Sequence, residues 1–272
     1  MRKSILSWLL LSPLVAINLF PFVVMLLTAI KPRGEVFAYP PRWLPSRVAF
    51  ENFGEMWQAT NFGPALVNSL SIGLATTVAT LLFAVPAAYA TTRFRFTGKV
   101  LFDRFLLVVQ MISPIVLIIG LFRLMVFLGL ADTHAALVIL YSGFNLTFAI
   151  WMLASYFETI PRDVEEAAWM EGSSKLRAAI QIFLPLALPA IAVTGIFTFI
   201  NAWNDFALAL TVLRSPENNT VTLQVVNLVA GRYTKEWHLI MAAALVATIP
   251  VTIAFIWCQK YLVRGLAGGA VK

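Results

Sequence analysis

Six long runs of apolar residues alternate with short polar segments along the chain. The hydrocarbon core of a bilayer is about 30 Å thick, so a spanning helix needs roughly 20 mainly apolar residues. Only helices and closed barrels satisfy every backbone hydrogen bond in lipid. The pattern predicts an all-α membrane protein of six transmembrane helices, with approximate bounds 4–30, 65–92, 105–127, 135–157, 184–212 and 239–259.

The third run and the first run each contain a feature that bears on their assignment as spans. The third uncharged run ends at Arg123, but a long arginine side chain can snorkel to the surface, which lets the helix continue. The first run begins after Arg2 and Lys3, as a signal peptide does, yet it stays apolar over residues 4–30 without a small-residue cleavage site. We therefore expect a first span that is retained.

The segments between the runs also carry local patterns. Phe50, Phe53, Met56 and Trp57 recur at helical spacing and predict a short amphipathic helix at the membrane interface. The turn over residues 93–104 is basic, and its cations are interpreted as contacts to lipid headgroups. These cations are Arg93, Arg95, Lys99 and Arg104.

One polar segment, residues 158–183, is long and contains charged residues. It has an early proline, acids in its first turn and strong helix formers up to Gly172, followed by Ser173 and Ser174 as possible caps. This pattern predicts a helix, a glycine break and a second helix. Periodicity alone leaves open whether the segment is a docking surface or a solvated hairpin that only links two spans.

Composition and charge restrict the class further. Apolar residues make up 60% of the chain and charged residues 12%, against about 25% charged in soluble domains. The net charge of +7 does not imply nucleic acid, because basic residues beside apolar spans act as topology signals. The loops on the side of the termini carry more Lys and Arg than the opposite loops, which predicts cytoplasmic termini. No repeat or composition break divides residues 1–272, so a single domain is expected.

Polar side chains inside apolar helices usually face protein or water, and they are candidates for a solute pathway. The pathway candidates are Asn145, Asn201, Trp203, Asn204 and Asp205, with Asn68 and Gln110 as further polar positions. Trp203 beside Asn204 suits sugar recognition, because a ring covers C–H groups and an amide binds hydroxyls. An interfacial tryptophan belt explains Trp203 equally well. Asp205 is expected near the external edge of its span.

Chemistry by the chain itself has little support in the sequence. One cysteine and two histidines build no disulfide or metal site, and no phosphate-binding Gly-x-x-x-x-Gly-Lys-Ser/Thr motif occurs. An ion-coupled secondary carrier is the main alternative, but it ordinarily has paired midplane carboxylates or repeat symmetry. An intramembrane enzyme is a second alternative and needs a nucleophile with its base.

The long polar segment resembles the signature loop of ABC importer permeases. Glu166-Ala167-Ala168 is followed after three residues by Gly172, and then by Ile182 and Leu184-Pro185. Four further stretches are similar to the carbohydrate-uptake branch, in particular to its second permease subunit of the maltose type. They begin at Trp203, Ser215, Met241 and Tyr261, and the likeness runs from about residue 65 onward.

The resemblance implies a coupling helix that docks on a cytoplasmic ATPase. Glu166 is its charged anchor, Ala167 and Ala168 its close-packing face and Gly172 its turn, with Arg162 and Asp163 in the same set. It also implies that the tail enters the ATPase dimer, through Gly265, Gly268, Gly269 and Lys272. A frayed basic end is the alternative for the tail.

The implied assembly lies in the bacterial inner membrane. It pairs this chain with a second permease, two ATPase subunits and a periplasmic solute-binding protein, and it imports a sugar, polyol or glycoside. ATP and Mg²⁺ bind the ATPase subunits, so this chain needs no cofactor and catalyses no reaction. The resemblance leaves open which solute is carried and which permease subunit supplies the main contacts to it.

Overall fold

The computed structural model describes residues 2–230 and 236–269, and every regular element within these ranges is a helix. The α-helices are α1 (Arg2–Ala29), α2 (Glu51–Ala59), α3 (Phe62–Arg93), α4 (Lys99–Met111), α5 (Pro114–Phe127), α6 (His134–Phe157), α7 (Asp163–Met170), α8 (Lys175–Ala178), α9 (Leu184–Asn204), α10 (Ala207–Val212), α11 (Val221–Ala230) and α12 (Trp237–Gly269). A π-helical turn over Ala179–Phe183 joins α8 to α9.

Five helical segments in the described ranges are long and apolar enough to cross a membrane. They are Leu11–Ala29, Phe62–Arg93, His134–Phe157, Lys175–Asn204 and Trp237–Gln259. The pair α4 and α5 meets the same test when it is taken together, although the two helices are bent by 95°. The all-α membrane fold is therefore confirmed, with six spans when the bent pair counts as one.

The third predicted span, over residues 105–127, consists of two helices, α4 and α5, and not of one. Ile112 and Ser113 are extended, with ψ angles of 119° and 129°, and Pro114 begins a new helix. The ring of a proline clashes with a helical conformation at the residue before it, and the proline itself has no N–H to donate. Apolar side chains continue through this point, but the helical conformation of the backbone does not.

The fifth predicted span, 184–212, also differs from the structure at both ends. Its helical segment begins earlier, at Lys175, and stops at Asn204, because Asp205 is extended with a ψ of 134°. The carboxylate Oδ1 of Asp205 then accepts the N–H groups of Leu208 at 3.0 Å and Ala209 at 3.4 Å. Asp205, the residue before the N-cap Phe206, thus satisfies two of the free N–H groups at the start of a new short helix, α10.

The chain divides into two compact units. The first contains residues 1–66 and 219–250, and in it α2 confirms the predicted short amphipathic helix. Met56 on α2 is fully buried, whereas the Trp57 side chain is 46% exposed. The Asn52 amide nitrogen donates to the carbonyl oxygens of Ala29 at 2.7 Å and Lys31 at 2.8 Å, which fixes α2 against the end of α1.

The second unit contains residues 67–218 and 251–272, and its core is formed by α3, α6 and α9. Ala84, Ala88 and Ala149 are completely buried there, next to the rings of Phe157 and Phe183. Small residues let membrane helices approach closely. Gly73 on α3 is the tightest such place, because a Cβ atom built on it would lie 2.8 Å from the ring of Phe199 on α9.

Candidate coupling site and membrane cavity

The segment between α6 and α9 folds as a helix, a glycine turn and a second helix, which confirms that prediction. Helix α7 carries three acids in its first turn and is followed by Gly172, whose φ is +87°. The N–H of Ser173 closes the turn onto the carbonyl of Ala168 at 2.9 Å. The Ser174 hydroxyl then accepts the N–H of Arg177 and caps α8.

The two faces of α7 have different environments. Glu165 and Ala168 are buried, with 2% and 6% of their surface exposed, while Glu166 and Ala167 are exposed. The predicted close-packing face of Ala167 and Ala168 is therefore wrong for Ala168, because residues three apart on a helix share a face and Ala168 turns inward with Glu165. Glu166 and Ala167 form the outward face.

Glu165 is held in a buried ion pair that the sequence pattern did not predict. Its Oε2 accepts the Nε–H of Arg93 at 2.6 Å, and its Oε1 accepts the Tyr89 hydroxyl at 2.6 Å. Arg93 also donates to the carbonyl of Ile160 at 2.9 Å and lies 4.8 Å from the centre of the Phe183 ring. Helix α7 is therefore joined to the end of α3 by a charge-assisted bond.

This geometry corrects the interpretation of Arg93 as a headgroup contact, since its side chain is only 7% exposed. Arg162, assigned to the coupling set, donates to the Thr92 carbonyl at 2.8 Å and so adds a second bond from the start of α7 to α3. Asp163 is exposed in the first turn of α7. The pairing of Glu165 is a tertiary relationship, and the adjacent glutamates gave no local signal of which one turns inward.

A small cavity of about 200 Å³ lies beside this ion pair. Its walls include Arg162, Glu166, Trp169 and Lys175, and the Lys175 ammonium lies 5.6 Å from the centre of the Trp169 ring. The exposed face of α7 thus adjoins a polar recess that contains both signs of charge. In the tail, the backbone of α12 runs through Gly265 and Gly268 to Gly269, whereas Lys272 lies outside the described residues.

Three of the predicted pathway residues meet in one cavity of about 440 Å³. Asn145, Asn201 and Asp205 line it together with Gln110 and Tyr141. The Asn201 amide nitrogen donates to Asn145 Oδ1 at 3.0 Å, and the Tyr141 hydroxyl donates to Asp205 Oδ1 at 2.9 Å. The rest of the lining is largely aromatic, with Phe144, Phe148 and Phe197.

The other two predicted pathway residues lie elsewhere. Trp203 is 3% exposed and packs on Phe199 with ring centres 5.6 Å apart, so it is a core residue and the sugar-stacking interpretation is wrong. Asn204 is exposed and does not line the cavity. Helical rotation explains the position of Trp203, because it follows Asn201 by two residues and so points about 200° away from it around α9.

A second cavity, of about 530 Å³, shares Gln110 and Phe148 with the first. It extends along α4 and α6 to a charged mouth with Lys99, Asp103 and Glu158. Within the described residues, no group of three His, Cys, Asp or Glu side chains is placed to hold a metal ion. The two cavities together present polar groups and aromatic rings along α4 and α6.

Asp132 lies in the turn between α5 and α6 and has a positive φ of 61°. Its hydrogen bonds join this turn to the segment that follows α10. Its Oδ1 accepts the N–H groups of Arg214 at 2.9 Å and Ser215 at 3.1 Å, and its Oδ2 accepts the Ser215 hydroxyl. The Asn218 amide donates to the Asp132 carbonyl at 2.8 Å. The N–H of Arg214 and the Ser215 hydroxyl hold the pKa of the Asp132 carboxyl well below its usual range.

Comparison with known proteins gives the family. Residues 80–268 match the model of the binding-protein-dependent transport system inner membrane component. The chain is 34% identical to the inner membrane ABC transporter permease protein YcjP of Escherichia coli strain K12, over 94% of this chain and 92% of the relative. It is also 34% identical to the trehalose transport system permease protein SugB of Mycobacterium tuberculosis, over 97% of both chains.

A solved structure shares the fold. A chain in the crystal structure of a bacterial ABC transporter that imports the acidic polysaccharide alginate superposes with a TM-score of 0.81. The alignment covers 96% of each chain at 24% sequence identity, so it supports the architecture and not the solute. On the family match and the two sequence relatives, the chain belongs to the binding-protein-dependent transport system inner membrane components.

Proposed function

We propose that this chain is the permease subunit of an ATP-driven importer that carries a sugar, polyol or glycoside across the bacterial inner membrane. The observation that carries the proposal is α7, which presents Glu166 and Ala167 outward while Glu165 holds its opposite face to α3. A helix with one exposed face and one fixed face suits the transfer of motion from a docked partner. The trehalose relative supports a carbohydrate as the solute.

The partners follow from the same proposal. A second permease subunit completes the pathway, two ATPase subunits bind and hydrolyse ATP with Mg²⁺, and a periplasmic protein delivers the solute. This chain itself catalyses no reaction and binds no cofactor. Both termini lie in the cytoplasm, where the tail with Gly265, Gly268, Gly269 and Lys272 reaches the ATPase dimer.

The structure suggests how force would pass through the chain. Glu166 and Ala167 contact the ATPase, with Asp163 on the same exposed first turn of α7. Displacement of α7 then pulls on α3 through the Arg93–Glu165 pair, and on α9 through α8 and the π-helical turn. Packed interfaces have discrete arrangements, so a small movement of α7 favours one of two arrangements of the spans.

The proposal is tested by uptake in cells that express the whole importer. Glu166→Lys and Gly172→Pro are expected to abolish uptake, because the first reverses the charge of the anchor and the second prevents the turn. Membrane insertion of the chain is expected to persist, as measured by its amount in the membrane fraction. Glu55→Lys, the same charge change on exposed α2, is the control and keeps normal uptake.

Two results contradict the proposal. One is full uptake by the Glu166→Lys variant at normal expression. The other is solute accumulation by this chain alone in vesicles driven by an ion gradient without ATP, which would identify a secondary carrier.

A further inference from the structure

We propose that the 440 Å³ cavity is a binding subsite for one neutral sugar ring, so that this subunit contacts the solute directly. This inference rests on the proposed function and adds the class of solute and the residues that recognise it. The cavity has the size of an ordinary small-molecule site, which is about 300–1,000 Å³. It lies wholly within the unit formed by residues 67–218 and 251–272.

The polar side chains that line the cavity suit the hydroxyl groups of a sugar. A primary amide offers two N–H donors and two acceptor lone pairs, and the bond from Asn201 to Asn145 uses one donor and one acceptor of the pair. Asn145 gives another donor to the Tyr141 carbonyl at 2.8 Å, which orients the amide. Asn201 therefore retains its carbonyl oxygen and its second N–H for hydrogen bonds to a sugar hydroxyl. Gln110 lines the same cavity and provides a third amide.

The aromatic side chains that line the cavity suit the C–H groups of a sugar ring. Phe144, Phe148 and Phe197 line the cavity, and the last two pack edge to face with ring centres 6.3 Å apart. The axial C–H groups of a pyranose form an apolar patch that packs on aromatic rings, while its equatorial hydroxyls point to the sides. Rings that alternate with amides along the same faces of α6 and α9 therefore match a sugar better than a purely apolar or a purely ionic solute.

The charges of the lining select among sugars. None of the residues that line this cavity is Lys, Arg or His, and Asp205 contributes a carboxylate. An anionic sugar would leave water without a cation to pair with and would be repelled by Asp205. The cavity therefore favours a neutral ring over uronic or sulfonated sugars, in contrast to the alginate importer that shares the fold.

The experiment uses the complete importer in proteoliposomes with its own solute-binding protein at saturating concentration. Asn201→Ala is expected to lower the ATP-dependent transport rate about tenfold, the effect of one lost hydrogen bond to the solute. ATP hydrolysis stimulated by the liganded binding protein is expected to stay within about twofold of wild type, because docking is intact. Asn204→Ala is the matched control, since this asparagine is one turn further along α9 and outside the cavity.

A second variant guards against misfolding. Gln110→Ala removes an exposed amide from the same cavity and is expected to slow transport severalfold, while the ATPase subunits still co-purify with the chain. Transport at the wild-type rate by both Asn201→Ala and Gln110→Ala would overturn the subsite. Absence of ATP-dependent accumulation in the wild-type importer would overturn the proposed function instead.

The charge preference is tested on the solute-binding protein that serves this importer. Thermal shifts are measured with trehalose, maltose and sorbitol, and with a digalacturonate and a sulfonated sugar. A shift with a neutral compound, followed by its transport, supports the inference. Delivery and transport of only the acidic compounds would contradict it.

Discussion

The Nε of Arg93 lies 2.6 Å from Oε2 of Glu165, and only 7% and 3% of the two side chains are exposed. A charge pair at this depth loses its hydration, and it persists only where further hydrogen bonds satisfy both partners. Tyr89 supplies such a bond to Glu165, and the Ile160 carbonyl supplies one to Arg93. The four groups therefore form one connected polar cluster between α3, α7 and the end of α6.

Removal of one partner of this pair is expected to destabilise the chain. Glu165→Gln leaves the Arg93 guanidinium buried without a counter-charge, which typically costs about 3–5 kcal/mol. We expect a lower melting temperature of the purified importer and a large loss of uptake. Glu55→Gln, the same chemical change at an exposed position on α2, is the control and keeps both properties.

Exchange of the two charges separates a specific pair from a general need for charge at these positions. Arg93→Glu combined with Glu165→Arg is expected to recover part of the melting temperature that either single variant loses. A double variant whose loss equals the sum of the single losses would show that the two residues act independently.

Substitution of Gly172 by alanine is expected to destabilise the turn through the backbone alone. A φ of +87° is unfavourable for a residue with a Cβ atom, at a cost of about 1–2 kcal/mol, and nothing lies within 4 Å of the position of that atom. The measurement is the melting temperature of the importer. Gly54→Ala inside α2 has equally open space without a positive φ, and we expect it to be neutral or slightly stabilising.

Substitution of Gly73 by alanine tests the close approach of α3 and α9. The new Cβ would lie 2.8 Å from the Phe199 ring, so the two helices or the ring must move, and overpacking of this kind costs about 1–3 kcal/mol. A lower melting temperature is expected. Gly120→Ala on α5 has open space at the same atom and is the control, with an unchanged melting temperature.

The bonds around Asp132 predict a dependence of stability on pH. The pKa of this carboxyl is lower in the folded state than its ordinary value of 3.8, so the ionised form stabilises the fold above that pH. The contribution is lost as the pH falls below about 4 and through the lower folded pKa. Asp132→Asn is expected to cost about 1 kcal/mol at neutral pH, because hydrogen bonds to a partly exposed charge are weakened by solvent.

The measurement compares the melting temperatures of wild type and Asp132→Asn between pH 7 and pH 3. The difference is expected to be largest at neutral pH and to shrink on acidification. A difference that grows as the pH falls would contradict the assigned direction. Asp103→Asn on α4, an exposed aspartate in the other part of the same unit, is the control.

The sequence was sufficient for features that depend on composition over many residues. Apolar runs placed the spans, and the acids and glycine around residues 163–172 placed α7 and its turn, because those patterns follow from local propensity. Pro114 marked the place of the break in the third span, but local pattern could not distinguish a mild kink from the 95° bend, since membrane helices often tolerate proline. It also could not tell Glu165 from Glu166, which differ in the partner each one meets and not in their type.

The predicted pathway residues show the same limit of local sequence pattern, which cannot give the tertiary position of a side chain. Asn145, Asn201 and Asp205 were recognised as polar groups in apolar helices, and they line one cavity. Trp203 was misread because its large ring suits both a core and a sugar, and its burial is decided by the position of α9 against its neighbours. Tyr141 and Phe148 gave no signal at all, since aromatic residues are common in membrane helices.

The two interruptions of apolar helices, at Pro114 and at Asp205, both border the 440 Å³ cavity. Peptide groups that leave a helical ladder at membrane depth are tolerated only against other protein or beside water. Both breaks therefore place peptide groups that have left the helical ladder beside the polar side chains of the cavity, which include Gln110 and Asp205.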